Sequence, residues 1–143
     1  MPEQPPPILV AAARPRAVVQ AGQYADIVAL GTRSREFLAQ QLEWLRAAAA
    51  ERFDNIEVAC YTFVVPENRP EAVANVAAIV QRSFGFDLQQ AIADDAPNIL
   101  RGSASAMIEQ LEERRAAFGL TYVVVGAYDA DTLAPIVQRV TGG

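Results

Sequence analysis

The chain contains no histidine and a single cysteine in 143 residues. Without imidazole there is no His-based catalytic triad, no His metal site and no side chain whose ordinary pKa lies near neutrality. The one cysteine, Cys60, has no partner for an internal disulfide and cannot build a thiolate cluster. It falls in a strand-like run and reads as a small buried apolar residue. No apolar run approaches the ~20 residues that span a membrane. Met1 to Pro7 carries neither a basic leader nor an apolar segment, so it does not read as a secretory signal, and a cytoplasmic location is the expectation. Basic residues form no run beyond Arg114-Arg115, and the net charge is −5. That balance argues against nucleic acid and anionic membranes as partners. No P-loop, dinucleotide GxGxxG or nucleophile elbow is present. Asp94-Asp95 lacks a third oxygen ligand at set spacing, so no metal site is expected.

What remains is a globular composition, 52% hydrophobic, at a length that fits one domain with a real core. Ile8 to Ala13 is a short continuous apolar run, as expected of a strand buried on both faces. Pro15 fits a first helical turn, and Ala17, Val18, Ala21 and Gly22 give a weak helix of small residues. Asp26 to Leu30 is a second strand. Ser34 is an N-cap for a strongly amphipathic helix carrying Phe37, Leu38, Leu42, Leu45 and Ala49, which runs to about Arg52. Trp44 sits on its flank as a packing residue. Asn55 to Val65 is a long strand, broken by Pro66-Glu67-Asn68. Pro70 opens the next helix, with Val73, Val76, Ala77, Val80 and Phe84 on its buried stripe. Residues 86–102 read as a helical or loop insertion. Ser103 then caps a helix whose inner face holds Met107, Ile108, Leu111, the stem of Arg115 and Phe118, and Gly119 terminates it. Thr121 to Ala127 is the fourth strand. Asp131 caps a last helix with Leu133, Ile136, Val137 and Val140 inward.

Four strands, each followed by helix, with crossovers long enough to be right-handed, predict an α/β fold with a parallel sheet. Ligands in such folds bind at the C-terminal ends of the strands. That rule selects four loops. The first, Ala11 to Arg14, offers backbone amides near a helix N-terminus plus a guanidinium, a chemistry suited to phosphate. Arg33 in the second loop is a further cation. Glu67 and Asn68, and Tyr128 and Asp129, stand at the other two ends, where strand termination and helix capping explain them better than ligand contact does.

The order PPILVAAARPRAVVQAGQYADIVAL, a long amphipathic helix, NIEVACYTFVV, and APNILRGSASAMIEQLEERRAAFGLTYVVVGA, then a helix containing LAPIVQRV, resembles the C-terminal half of luciferase-like oxidoreductases. The likeness runs from Pro6 to about Val140 and is nearest to the deazaflavin branch. It implies monooxygenase-type or related hydride-transfer chemistry on a small-molecule substrate, with FMN or coenzyme F420 as cofactor. It implies half of a (β/α)8 TIM barrel: four parallel βα units corresponding to strands 5–8, residues 1–143 forming one C-terminal half-barrel domain. The family's glycine-rich phosphate loop falls on Ala11, Ala12, Ala13 and Arg14, with Arg33 as a second contact; no catalytic residue is assigned. Alanine keeps the amide donors but adds a methyl where the family favours close approach. A whole barrel takes about 250 residues. A half leaves two open strand edges and an uncovered apolar face. The expected partner is a second copy of the chain or a complementary N-terminal half-barrel. The alternative is a non-catalytic half-barrel that dimerises through those edges.

Overall fold

The structure, a computed structural model, describes residues 4–126 and 129–142. The elements run β1 (Leu9–Ala12), α1 (Pro15–Tyr24), β2 (Ile27–Leu30), α2 (Arg35–Ala49), a 3-10 turn, β3 (Glu57–Tyr61), β4 (Phe63–Pro66), α3 (Pro70–Ile79), α4 (Leu88–Ala93), β5 (Ile99–Gly102), α5 (Ala104–Phe118), β6 (Leu120–Val124) and α6 (Ala130–Thr141). Local chemistry sets most of these boundaries. Pro15 and Pro70 occupy first helical turns, where a missing N–H is harmless. The Ser34 and Ser103 hydroxyls accept from the amides of Phe37 at 3.1 Å and Ala106 at 3.2 Å. Gly119 ends α5 in the left-handed region at φ +70°.

All strand pairs are parallel. One sheet has the order β1-β2-β3-β6, and β4 pairs with β5 in a second, two-stranded sheet. β3 and β4 are a nearly continuous run interrupted at buried Thr62, whose amide donates to the Val124 carbonyl at 2.7 Å. The same extended segment therefore serves the larger sheet first and the smaller one after it.

Helices α1 and α2 cover one face of the four-stranded sheet. Val18, Ala21, Leu38, Leu42 and Leu45 pack there on Ala12, Val28, Leu30, Val58 and Cys60. Full burial of Leu30, Leu38 and Leu45 is worth about 2 kcal/mol each. Gly22 lets the two helices approach closely, since a Cβ there would sit 3.1 Å from Ala48 Cβ and 3.3 Å from the Ala49 nitrogen. The other face is poorly covered: Leu9 is 45% and Tyr122 41% exposed. Two further cores lie around β4, α3 and α4, and between β4, β5, α5 and α6. No helix among the described residues is long and apolar enough to cross a membrane.

Several expectations change. Residues 86–102 form α4 and then β5, a strand of only two apolar residues before Arg101-Gly102, whose extended state comes from pairing with β4 rather than from its own pattern. Helix α2 ends at Ala49, and the chain tightens into a 3-10 turn over Ala50–Asn55. Phe84, Val137 and Val140 are exposed, not inward. Beyond Ile79 the helix widens into a π turn, which rotates Phe84 off the stripe. Arg114, not Arg115, is the buried arginine of α5. Asp129 precedes α6, without a side-chain cap bond, and Asp131 lies in its first turn.

Cys60 is buried as expected, at 2% exposure. Burial pushes its thiol up to about 12, against the opposing field of the Arg114 cation. The thiol should therefore resist alkylation by iodoacetamide at pH 8 in the folded chain and react once the chain is unfolded. An unfolded thiol loses its proton near 9.0 while the folded one keeps it up to about 12, so this group's contribution to stability falls as pH rises across that window. Labelling of the native chain at the unfolded rate would contradict this placement.

Candidate functional site

The C-terminal ends of β1, β2 and β3 open onto a cleft of about 390 Å³. Ala13, Arg14, Gly31, Thr32 and Arg33 line it from the first two loops. Tyr61 and Phe63 line it from the third strand and its continuation, Phe84 and Phe86 from the π turn after α3 and the segment that follows it, and Asn98 joins them. No carboxylate is among the lining residues, although the whole chain carries a net charge of −5. The cleft thus has cationic and aromatic character, and its volume is in the range of small-molecule sites.

The loops are held by a residue that sequence reading passed over. Gln41, on the buried face of α2, donates from Nε2 to the carbonyls of Ala13 at 2.9 Å and Gly31 at 3.2 Å. In a trans peptide the following N–H points opposite to the C=O, and the described residues contain no cis bond. The amides of Arg14 and Thr32 are therefore turned away from Gln41, and neither donates to a described backbone acceptor. Helix α1 adds to this arrangement. Its N-cap, Arg14, supplies no side-chain cap, so among the described residues the first-turn amides of Arg16 and Ala17, which follow Pro15, are left to an external anion. The opposite holds for α2, which Ser34 caps. Gln41 Oε1 is buried and unpaired among the described residues, a cost of about 1–3 kcal/mol that the fold tolerates to fix both loops.

Of the residues singled out from the sequence, Ala13, Arg14 and Arg33 line this cleft, whereas Ala11 and Ala12 lie within β1. Glu67 and Asn68 border a separate cleft of about 420 Å³ with Arg69, Ser103 and Asp131. Asp129 is 8% exposed, and burial pushes its carboxyl up against the pull of Arg69. Tyr128 lies outside the described residues. Asp94 accepts from Gln90 Nε2 at 2.9 Å, and Asp95 pairs with Arg35 at 3.2 Å. Arg35 also pairs with Glu113, which holds that carboxyl below its usual range, and lies 4.9 Å above the Phe118 ring. Through Arg35, Glu113 ties α2 to α5 and Asp95 ties α2 to the turn after α4. No group of three metal-ligating side chains occurs among the described residues.

Gln41 had a readable signal, since it stands three residues after Leu38 and four before Leu45, on the apolar stripe itself. Asn98 had none, because it stands just before β5, a strand that exists only through its pairing with β4.

Solved structures share this fold. The coenzyme F420-dependent tetrahydromethanopterin reductase from Methanopyrus kandleri is 20% identical, with a TM-score of 0.64 over 93% of this chain and 49% of that one. An F420-dependent secondary alcohol dehydrogenase, solved with an F420–acetone adduct, is 16% identical, with a TM-score of 0.63 over 87% and 44%. The long-chain alkane monooxygenase LadA is 15% identical, with a TM-score of 0.64 over 94% and 41%. The chain spans about half, or less, of the length of these proteins. No curated protein matches the sequence. The model of the luciferase-like monooxygenase family matches residues 1–126, most of the chain. By that match the chain belongs to the luciferase-like monooxygenase family.

Proposed function

We propose that this chain is the C-terminal portion, or a reduced member, of a luciferase-like oxidoreductase that works with FMN or coenzyme F420, and that it supplies the cofactor-phosphate side of the site. The observation that carries this reading is the acid-free cleft in which Gln41 turns the amides of Arg14 and Thr32 outward beside the guanidiniums of Arg14 and Arg33. Those donors fit a phosphate: amides give directional hydrogen bonds and guanidiniums give charge. The aromatic rings beside them fit a planar ring system. When bound, the flavin or deazaflavin ring would supply the hydride-accepting chemistry, and this chain's part is to hold and orient it. The substrate is a small organic molecule, and no residue here is assigned catalysis.

Two features support the half-barrel form, with β1, β2, β3–β4 and β6 as strands 5–8 and residues 86–102 as an insertion. Helices α1 and α2 cover one face of the sheet, as in a barrel wall, and the neighbours are about twice as long. The test is a fluorescence titration of the 143-residue chain with FMN and with coenzyme F420. Saturable binding in the micromolar range is expected for at least one, and none below about millimolar would sink the reading.

A second reading has its own observation. β1 and β6 are sheet edges, and Ile8 at 55%, Leu9 at 45%, Tyr122 at 41% and Val123 at 39% expose apolar surface on or beside them. Unpaired parallel edges beside apolar surface favour pairing with another chain. In this reading the chain is a non-catalytic half-barrel module that dimerises through its edges. Light scattering decides it: a dimer supports the module, and a monodisperse monomer at high micromolar concentration counts against it.

A further inference from the structure

The aromatic part of the cleft holds one polar side chain that the fold itself leaves without a role. Asn98 stands just before β5, and its backbone carbonyl accepts from the Phe63 amide at 2.8 Å. The residue is 3% exposed, and its Oδ1 is sealed from solvent with no hydrogen-bond partner among the described residues. It nevertheless lines the cleft, beside Tyr61, Phe63, Phe84 and Phe86. Burying an unpaired amide is unfavourable, and folded chains rarely keep one unless something else satisfies it. The rings around it are set edge to face, with Tyr61 and Phe63 centroids 5.1 Å apart and Phe63 and Phe84 5.2 Å apart. Phe84 is also 51% exposed, so an apolar ring is turned outward where a planar ligand would cover it.

We propose that Asn98 is the ring-recognition residue of this cleft, pairing with the amide edge of a planar heterocycle lodged among the four aromatic side chains. A primary amide carries one donor and one acceptor side by side. Its complement is a cyclic amide or imide, –NH–C(=O)–, which offers the same two groups in reverse, so two hydrogen bonds form along one edge once the Asn98 side chain turns its sealed Oδ1 to the cleft. The pairing follows the logic by which Asn reads the edge of a nucleobase. Flavin and deazaflavin rings both carry such an imide edge, so the assignment rests on the cofactor reading above and adds the group that would discriminate the ring. A phosphate-bearing ligand without an amide edge would engage Arg14 and Arg33 but leave Asn98 unsatisfied.

The test uses the 143-residue chain, whose own residues form the cleft. The probes are FMN, FMN methylated at the imide nitrogen, and coenzyme F420, followed by ligand fluorescence with wild type and Asn98→Leu. Wild type is expected to bind FMN at least tenfold more tightly than N98L, and methylation is expected to cost wild type a similar factor while costing N98L little. The melting temperature of unliganded N98L should equal or exceed that of wild type, because an orphaned polar atom has been removed. A lower melting temperature would make Asn98 a structural residue and overturn the proposal. So would equal affinity of the two proteins for FMN, or the same methylation penalty in both. If wild type binds neither FMN nor F420, the cofactor reading falls and this assignment with it; if wild type binds and N98L is indifferent, only the assignment falls.

Discussion

Replacing Arg14 and Arg33 together with alanine lowers the affinity for FMN and coenzyme F420 by about 100-fold. Each guanidinium makes a charge-assisted contact to phosphate, a class worth about 1.5–3 kcal/mol when shielded. Both side chains are exposed at the rim of the cleft, so solvent screening reduces each to about tenfold. Riboflavin, which has the ring but no phosphate, provides the control: its binding should change by less than about threefold, since a phosphate contact is what is lost. The melting temperature of the unliganded double variant should stay close to that of wild type, because exposed substitutions away from buried networks have small effects. The measurement is the same fluorescence titration, repeated at low and high salt. Wild-type FMN binding should weaken with salt, and the variant's dependence should be flatter. Equal losses for FMN and riboflavin would mean the arginines shape the cleft rather than bind phosphate, and the phosphate reading would fail.

The alanine loop is less of an obstacle to this site than its composition suggests. Phosphate loops favour glycine because a backbone must come close to its ligand or to a neighbouring loop. Here the close approach is made by the second loop. A Cβ on Gly31 would lie 3.1 Å from Ala13 Cβ, so Gly31 supplies the missing space and Ala13 can keep its methyl. Gln41 then fixes both peptide planes by their carbonyls. The donors that matter are consequently shared between loops that a linear reading treats one at a time.

That division marks what was legible in the sequence. The βα order, the caps at Ser34 and Ser103, the proline starts of α1 and α3 and the stop at Gly119 all depend on residues within one turn of each other, and all are readable in one dimension. That Ala13, Arg14 and Arg33 stand at strand ends was readable for the same reason, since they follow strands with clear apolar runs. β5 was not. Ile99 and Leu100 are too short a run to specify a strand, and the pairing partner lies more than thirty residues away in β4. Everything that β5 positions was hidden with it, including Asn98 and the packing of Phe63 against Phe86 at 6.1 Å. The interchange of Arg114 and Arg115 has a simpler cause. Adjacent helical residues differ by about 100° around the axis, so a small error in the stripe exchanges the buried arginine for its exposed neighbour.

Arg114→Ala is expected to destabilise the chain by about 3 kcal/mol, a fall of roughly 10 °C in melting temperature for a domain of this size. Arg114 is 3% exposed; one guanidinium nitrogen donates to the Ile99 carbonyl at 2.6 Å and more weakly to Ala96 at 3.4 Å, while Nη1 has no partner among the described residues. Burial disfavours its charged form, and that effect outweighs the support of Asp95 and Glu113. Truncation therefore removes a long packed stem and a hydrogen bond near the start of β5, and leaves a hole beside the small gap lined by Cys60 and Thr62. Methionine separates the two contributions. It refills the volume, carries no charge to desolvate and leaves no unpaired nitrogen, so Arg114→Met should lie within about 1 kcal/mol of wild type. Because Arg114 anchors the turn that carries Asn98, the alanine variant should also weaken FMN binding, and the methionine variant much less so. Equal destabilisation of the two variants in denaturant titrations would place the whole contribution in the bond to Ile99 rather than in packing, and would make that single donor the clamp on β5.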